Sequence, residues 1–194
     1  MAKLVEYPPV FYNFRIPNYR KIRDSEVRMA IKQDIGDFLI SSIVEYTQQG
    51  ESPVDGEFFS SLNTKYAKKM KSGDTTPNLY LKGKMLPSLE LGTSELGDEY
   101  IAIGIWEGTE TGKADGHNRH HAYKSGLPKR RFIPMDYQNF RPEIIEEINS
   151  IVDVELSAQS LSDEAEEIVT TLEKELGRLL TEDEIIEVIG GLDG

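Results

Sequence analysis

The chain has 194 residues, 38% of them apolar and 29% charged, with a net charge of −12 and no cysteine. That composition suits a folded domain with its own core, alone or with a small appendage, and it excludes disulfides and thiolate metal sites. No apolar run approaches the ~18 residues needed to span a bilayer. The start, Met1 to Pro9, lacks the apolar core of a signal peptide, so a soluble protein made in the cytoplasm is expected.

The charge is unevenly placed. Residues 136–194 hold 17 acidic and 3 basic residues, a net of −14, against 17 and 19 in residues 1–135, a net of +2. An acidic C-terminal third repels a phosphate backbone, so sequence-specific DNA binding is disfavoured.

Taken in chain order, residues 1–21 form an arm rich in Pro and aromatics. Pro8, Pro9 and Pro17 disfavour helix, while Tyr7, Phe11, Tyr12, Phe14 and Tyr19 need something to pack on, either the arm's own domain or a neighbouring subunit. Asp24 or Ser25 caps a predicted helix running to about Gln49. Val27, Ile31, Ile35, Phe38, Leu39, Ser42 and Tyr46 recur on one of its faces, and Gly50 and Pro53 end it. After a turn, Phe58, Phe59, Leu62, Tyr66, Ala67 and Met70 suit one or two helical turns whose lysines, Lys65, Lys68, Lys69 and Lys71, face water.

Residues 85–91 and 100–106 predict a hairpin. Ile101, Ile103 and Ile105 alternate with Ala102, Gly104 and Trp106 as in a half-buried strand, and Gly104 marks a bulge or a close backbone approach. Residues 107–129 read as a long loop without secondary structure, a finger projecting from the sheet. Arg131, Phe132 and Ile133 predict a last short strand of that sheet. Pro142 opens a helix from Glu143 to about Val152. A separate helix is expected from Ser162 to Leu176, stopped by Gly177, and another after the capping box Thr181–Glu184, running through Ile189. The expected organisation is an N-terminal arm (1–21), an α+β domain (22–152) with a long amphipathic helix on a mostly antiparallel sheet, and an acidic helical extension (153–194). Those last helices are too short to bury their apolar stripe alone and should dock on another surface.

The chemistry on offer is sparse. His117, His120 and His121, with Asp115 beside them, are of the type that ligates zinc, but Arg119 and Lys124 oppose a cation. An interface or loop-anchoring role and a plain exposed loop are the other readings of that run. Glu51-Ser52-Pro53 is no nucleophile elbow, since a helix precedes it, and no phosphate-cradling glycine loop is present. No catalytic residue, resident metal or cofactor is therefore expected.

The order of features from Gly50 to Pro134 resembles the tail-completion (virion-morphogenesis, Mu protein G-like) proteins of tailed bacteriophages. The resemblance rests on the long helix followed by Gly50, Ser52, Pro53, Asp55 and Gly56, and then on Leu62, Tyr66 and Lys69. It continues with Leu81, Gly83, Met85, Ser88 and Leu89, the alternating strand to Trp106, His121 with Gly126, and Arg131-Phe132-Ile133-Pro134. It implies a non-enzymatic virion protein of the neck, most simply a homohexameric ring. Such a ring caps the tail tube and joins it to the head connector, with DNA passing through unread. Another neck connector, a head-completion or stopper subunit, is the near alternative, and a small metal- or nucleic-acid-binding module the remote one. On this reading the finger and its flanks are the subunit or partner interface: Trp106, Asp115, His117, Arg119, His120, His121, Lys124, Lys129, Arg130 and Arg131.

Overall fold

The computed structural model describes residues 8–70, 72–77, 79, 84–106, 108–119, 130–135 and 137–190. Its architecture is α+β: a small antiparallel sheet packed with helices, and one helix much longer than the rest. Strand β1 (Val10–Arg15) pairs antiparallel with β3 (Tyr100–Ile105) from Val10↔Ile105 to Arg15↔Tyr100. The short β2 (Glu90–Gly92) flanks the other side of β3, giving the order β1-β3-β2. The N-terminal segment set apart as an arm thus supplies an edge strand of its own domain. Val10 and Phe14 are buried, and the prolines expected to forbid helix bracket the strand.

The hairpin is formed, though shorter than expected, because Leu86–Ser88 winds into a 3-10 turn and leaves only three residues to pair. Nor is β3 half-buried. Ile101, Ala102, Ile103 and Ile105 are all buried, as a central strand requires when helices contact the sheet. At Gly104 the close approach is real. A Cβ there would stand 2.4 Å from the Phe11 Cβ and 2.5 Å from the Val10 carbonyl oxygen.

Helix α1 (Ser25–Gln49) starts where Asp24 accepts from the amides of Glu26 (2.7 Å) and Val27 (3.1 Å). It stops at Gly50, whose φ of 80° only glycine adopts at little strain. Ile31, Ile35, Leu39 and Ile43 lie along its buried face, a spacing of four that puts them on one stripe. Helix α2 (Thr64–Met70) is anchored by Ala67, which is fully buried.

Three expectations are corrected. The first is the finger: Thr109–Arg119 is a helix, α3, not a structureless loop, and residues 120–129 lie outside the described residues. Its inner face is Thr111, Ala114 and Asn118, all buried, so tertiary packing sustains a sequence of low helical propensity. The second is the last strand: Arg131–Ile133 is no strand, although Phe132 and Ile133 are fully buried. Their amides bond to a side chain instead of a ladder. The third is the break near residue 152. Pro142–Leu176 is one helix, α4, because no glycine or proline interrupts it. Ser162 and Asp163, read as a helix start, lie inside it, and Asp163 pairs with Arg23.

The first part of α4 is pinned to the core through Ile144, Ile148 and Val152. Gln159 reaches back to the α1 side, accepting from the Arg23 amide (2.9 Å) and donating to the Lys21 carbonyl (3.2 Å). Beyond Gly177, α5 (Glu182–Gly190) contacts α4 and opens on the expected capping box. Thr181 and Glu184 bond to each other's amides, at 2.9 Å for the Thr181 amide, and Arg178 pairs with Glu184 at 2.6 Å.

Candidate functional site

The side chain of Asn118 ties α3 to the segment after residue 129. Its Oδ1 accepts from the amides of Phe132 (3.0 Å) and Ile133 (3.1 Å), and its Nδ2 donates to the Ile133 carbonyl (2.8 Å). One residue earlier, the His117 carbonyl accepts from the Arg130 amide at 2.9 Å. The two chain ends flanking residues 120–129 are therefore held side by side, and the base of that segment is fixed.

A second structure meets the same base at Arg130 and Arg131. In the turn after α1, Ser52 is buried and its Oγ accepts from the amides of Val54 and Asp55, both at 3.2 Å. Gly56 completes the turn at φ 71°, its amide donating to the Ser52 carbonyl (3.1 Å). Asp55 faces Arg131 at 3.7 Å, and the Arg130 guanidinium lies 3.4 Å from the Ser60 carbonyl. Arg141, just before α4, holds Glu51 at 2.5 Å and Glu143 at 2.9 Å, donates its amide to Pro53 (3.0 Å) and stacks over Tyr46. Hydrogen bonding to Glu143 and Glu51 drives the Arg141 pKa further up, and Arg141 in turn holds Glu143 down at about 2.

His117 is half-buried, and its Nδ1 is shielded from water with no hydrogen-bond partner among the described residues. Burial, and then the charge of Arg130, push its pKa down to about 4, so the ring is neutral at physiological pH. Asp115 and Gly116 precede it on α3. Trp106 is engaged inside the chain: it stacks on Phe11 with ring centroids 4.9 Å apart, and a Cβ on Gly92 would meet it at 2.4 Å.

Of the residues expected at an interface, the structure brings His117, Arg130 and Arg131 to this base, while Trp106 packs at the sheet. Arg119 ends α3. His120, His121, Lys124 and Lys129 lie outside the described residues, as do Leu81 and Gly83 of the sequence pattern and Gly126. Of the other pattern residues, Gly50, Ser52, Pro53, Asp55 and Gly56 form the turn after α1, where Asp55 meets Arg131 and Pro53 meets Arg141, while Phe132 and Met85 join the core. Among the described residues no group of three or more His, Asp or Glu side chains is placed to hold a metal. Asn118, Glu51 and Arg141 were not singled out from sequence. A signal for Asn118 was the 111, 114, 118 spacing inside the polar run, and for Arg141 its place beside a helix-opening proline.

What the site defines is an α+β scaffold with a hydrogen-bonded turn after α1 and with the two chain ends flanking residues 120–129 held side by side. No family model, curated protein or solved structure matches the chain. No helix among the described residues is long and apolar enough to cross a membrane.

Proposed function

We propose that this chain is a structural subunit of a tailed-bacteriophage neck. In this reading it is a tail-completion ring protein that caps the tail tube and meets the head connector, with DNA passing through the ring. One observation carries the proposal: Asp55 of the turn Gly50–Gly56 lies 3.7 Å from Arg131, which opens the segment Arg131-Phe132-Ile133 far away in sequence. These are the features on which the resemblance to tail-completion proteins rests. Their joint task here is to fix the base of residues 120–129, which suits a segment presented to a neighbour. The acidic balance of the chain is in keeping with a conduit that lets phosphates slide past.

Purified full-length chain examined by native mass spectrometry and electron microscopy tests the proposal. A closed ring, sixfold on the leading reading, is the expected state; twelvefold symmetry favours a different neck connector. A monomer that stays monomeric at high concentration and in the presence of tail tubes overturns it.

A further inference from the structure

Among the described residues, two exposed surfaces combine bare apolar side chains with charges of opposite sign. One is the far part of α4 with α5. Residues 153–194 carry 13 acidic against 2 basic residues. Glu164, Glu166, Glu167 and Glu175 are exposed, and among the described residues none of them meets a basic side chain. Between these acids, large apolar side chains are bare: Leu161, Leu176, Leu179 and Ile186 are each more than half exposed. A shallow groove lined by Asn149, Asp153, Ser157 and Leu161 continues the surface along α4.

The other surface is α2 with the segment before it. Lys65, Lys68 and Lys69 are exposed and form no ion pair among the described residues. Phe58, a few residues earlier, is 79% exposed. A cationic patch with a bare aromatic is complementary to an acidic patch with bare leucines.

We propose that copies of this chain join head to tail, the α4–α5 surface of one seated on the α2 and Phe58 surface of the next. The occupant is a second copy because this sequence carries both halves of the match. The contact is heterologous because two acidic extensions facing each other would repel. A contact between unlike surfaces leaves each copy with one of each unfilled, so it propagates until the rotation closes a ring. That closure rests on the neck-ring reading above; the pairing of the two surfaces does not.

Charge exchange on the full chain tests it. The variants are Lys65→Glu/Lys68→Glu/Lys69→Glu, Glu164→Lys/Glu167→Lys/Glu175→Lys, and the chain carrying all six changes. Each set changes only exposed side chains, and circular dichroism checks that the fold is kept. Light scattering should show the oligomer's dissociation constant raised about a hundredfold or more in each three-fold variant, since like charges face each other. The six-fold variant should regain the wild-type mass. Three-fold variants that assemble like the wild type, or a six-fold variant no better than its parents, overturn the pairing and leave a wild-type ring standing. A wild-type chain that never assembles overturns the pairing and the ring together.

Discussion

Asn118 and Ile133 bond to each other twice, the asparagine accepting from the Ile133 amide at 3.1 Å and donating to the Ile133 carbonyl at 2.8 Å. All of these groups are buried, and the same Oδ1 also takes the Phe132 amide. One side chain therefore replaces the sheet neighbour that this segment lacks.

Asn118→Leu keeps the volume and removes all three bonds. Each orphaned buried group costs about 1–3 kcal/mol, so a loss on the order of 3 kcal/mol or more is expected in urea unfolding, with the slope m unchanged. Asn118→Asp would turn a carboxylate oxygen toward the Ile133 carbonyl. It should be destabilised at neutral pH and partly recover on acidification, when the protonated acid can donate again. A neutral-pH stability equal to wild type would show that Asn118 is not the clamp.

The Arg141 guanidinium binds two carboxylates and a ring face together. Lysine offers a point charge where a fork is required. Arg141→Lys should therefore lower stability almost as far as Arg141→Ala, by about 1–2 kcal/mol. Thermal unfolding of the two variants side by side checks this, and full rescue by lysine would mean that only charge matters there.

Acid should loosen the molecule through His117. Its folded pKa, about 4, lies below its ordinary value of 6.5, because burial and Arg130 both disfavour the imidazolium. The unfolded chain then binds more protons between those limits, so stability is full above about 6.5 and is lost as pH falls toward 4. The loss is on the order of 2–3 kcal/mol at one pKa unit per ~1.4 kcal/mol. His117→Gln should flatten the stability profile between pH 6.5 and 5.5, above the range where most carboxylates titrate. An unchanged slope would assign the proton uptake to other groups.

Gly104→Ala and Gly36→Ala separate rigid from yielding neighbours. At Gly104 the new methyl meets the Val10 carbonyl and the Phe11 backbone across the β1–β3 pair, which cannot move without opening the ladder. At Gly36 it meets only the end of the half-buried Leu91 side chain, which can turn away. Overpacking costs about 1–3 kcal/mol. Gly104→Ala should reach the top of that range or beyond, and Gly36→Ala should fall near or below its bottom. Equal denaturation midpoints would mean that the strand pair is looser than drawn.

Elements with chemical punctuation were legible in the sequence. Asp24 and Gly50 mark the ends of α1, and Thr181 with Glu184 marks the start of α5. The isoleucine alternation locates β3, though not that both of its faces are covered, because Ala102 and Gly104 read as a solvent face when they are small for packing reasons. What escaped depends on distant partners. Helix α3 has a poor helical sequence and exists through three buried residues, of which Asn118 is bonded to the distant Phe132–Ile133 segment. Ser162 and Asp163 look like a cap, yet with no breaker before them the helix runs on, and Asp163 finds Arg23 instead. In the candidate site, the Ser52 turn was visible as a motif. Its bracing by Arg131 and Arg141 was not, since no local pattern announces an ion pair between remote segments.

The unbroken course of α4 has a geometric consequence. At about 1.5 Å per residue its 35 residues make a spar of about 52 Å, clamped to the core through its first half. One residue inserted between Val154 and Glu155 would swing the far half through about 100° and turn another flank outward. Four would push it about 6 Å further and bring it back to within about 40° of its first bearing. The reach of the molecule is thus graduated in helical steps, like marks on a ruler.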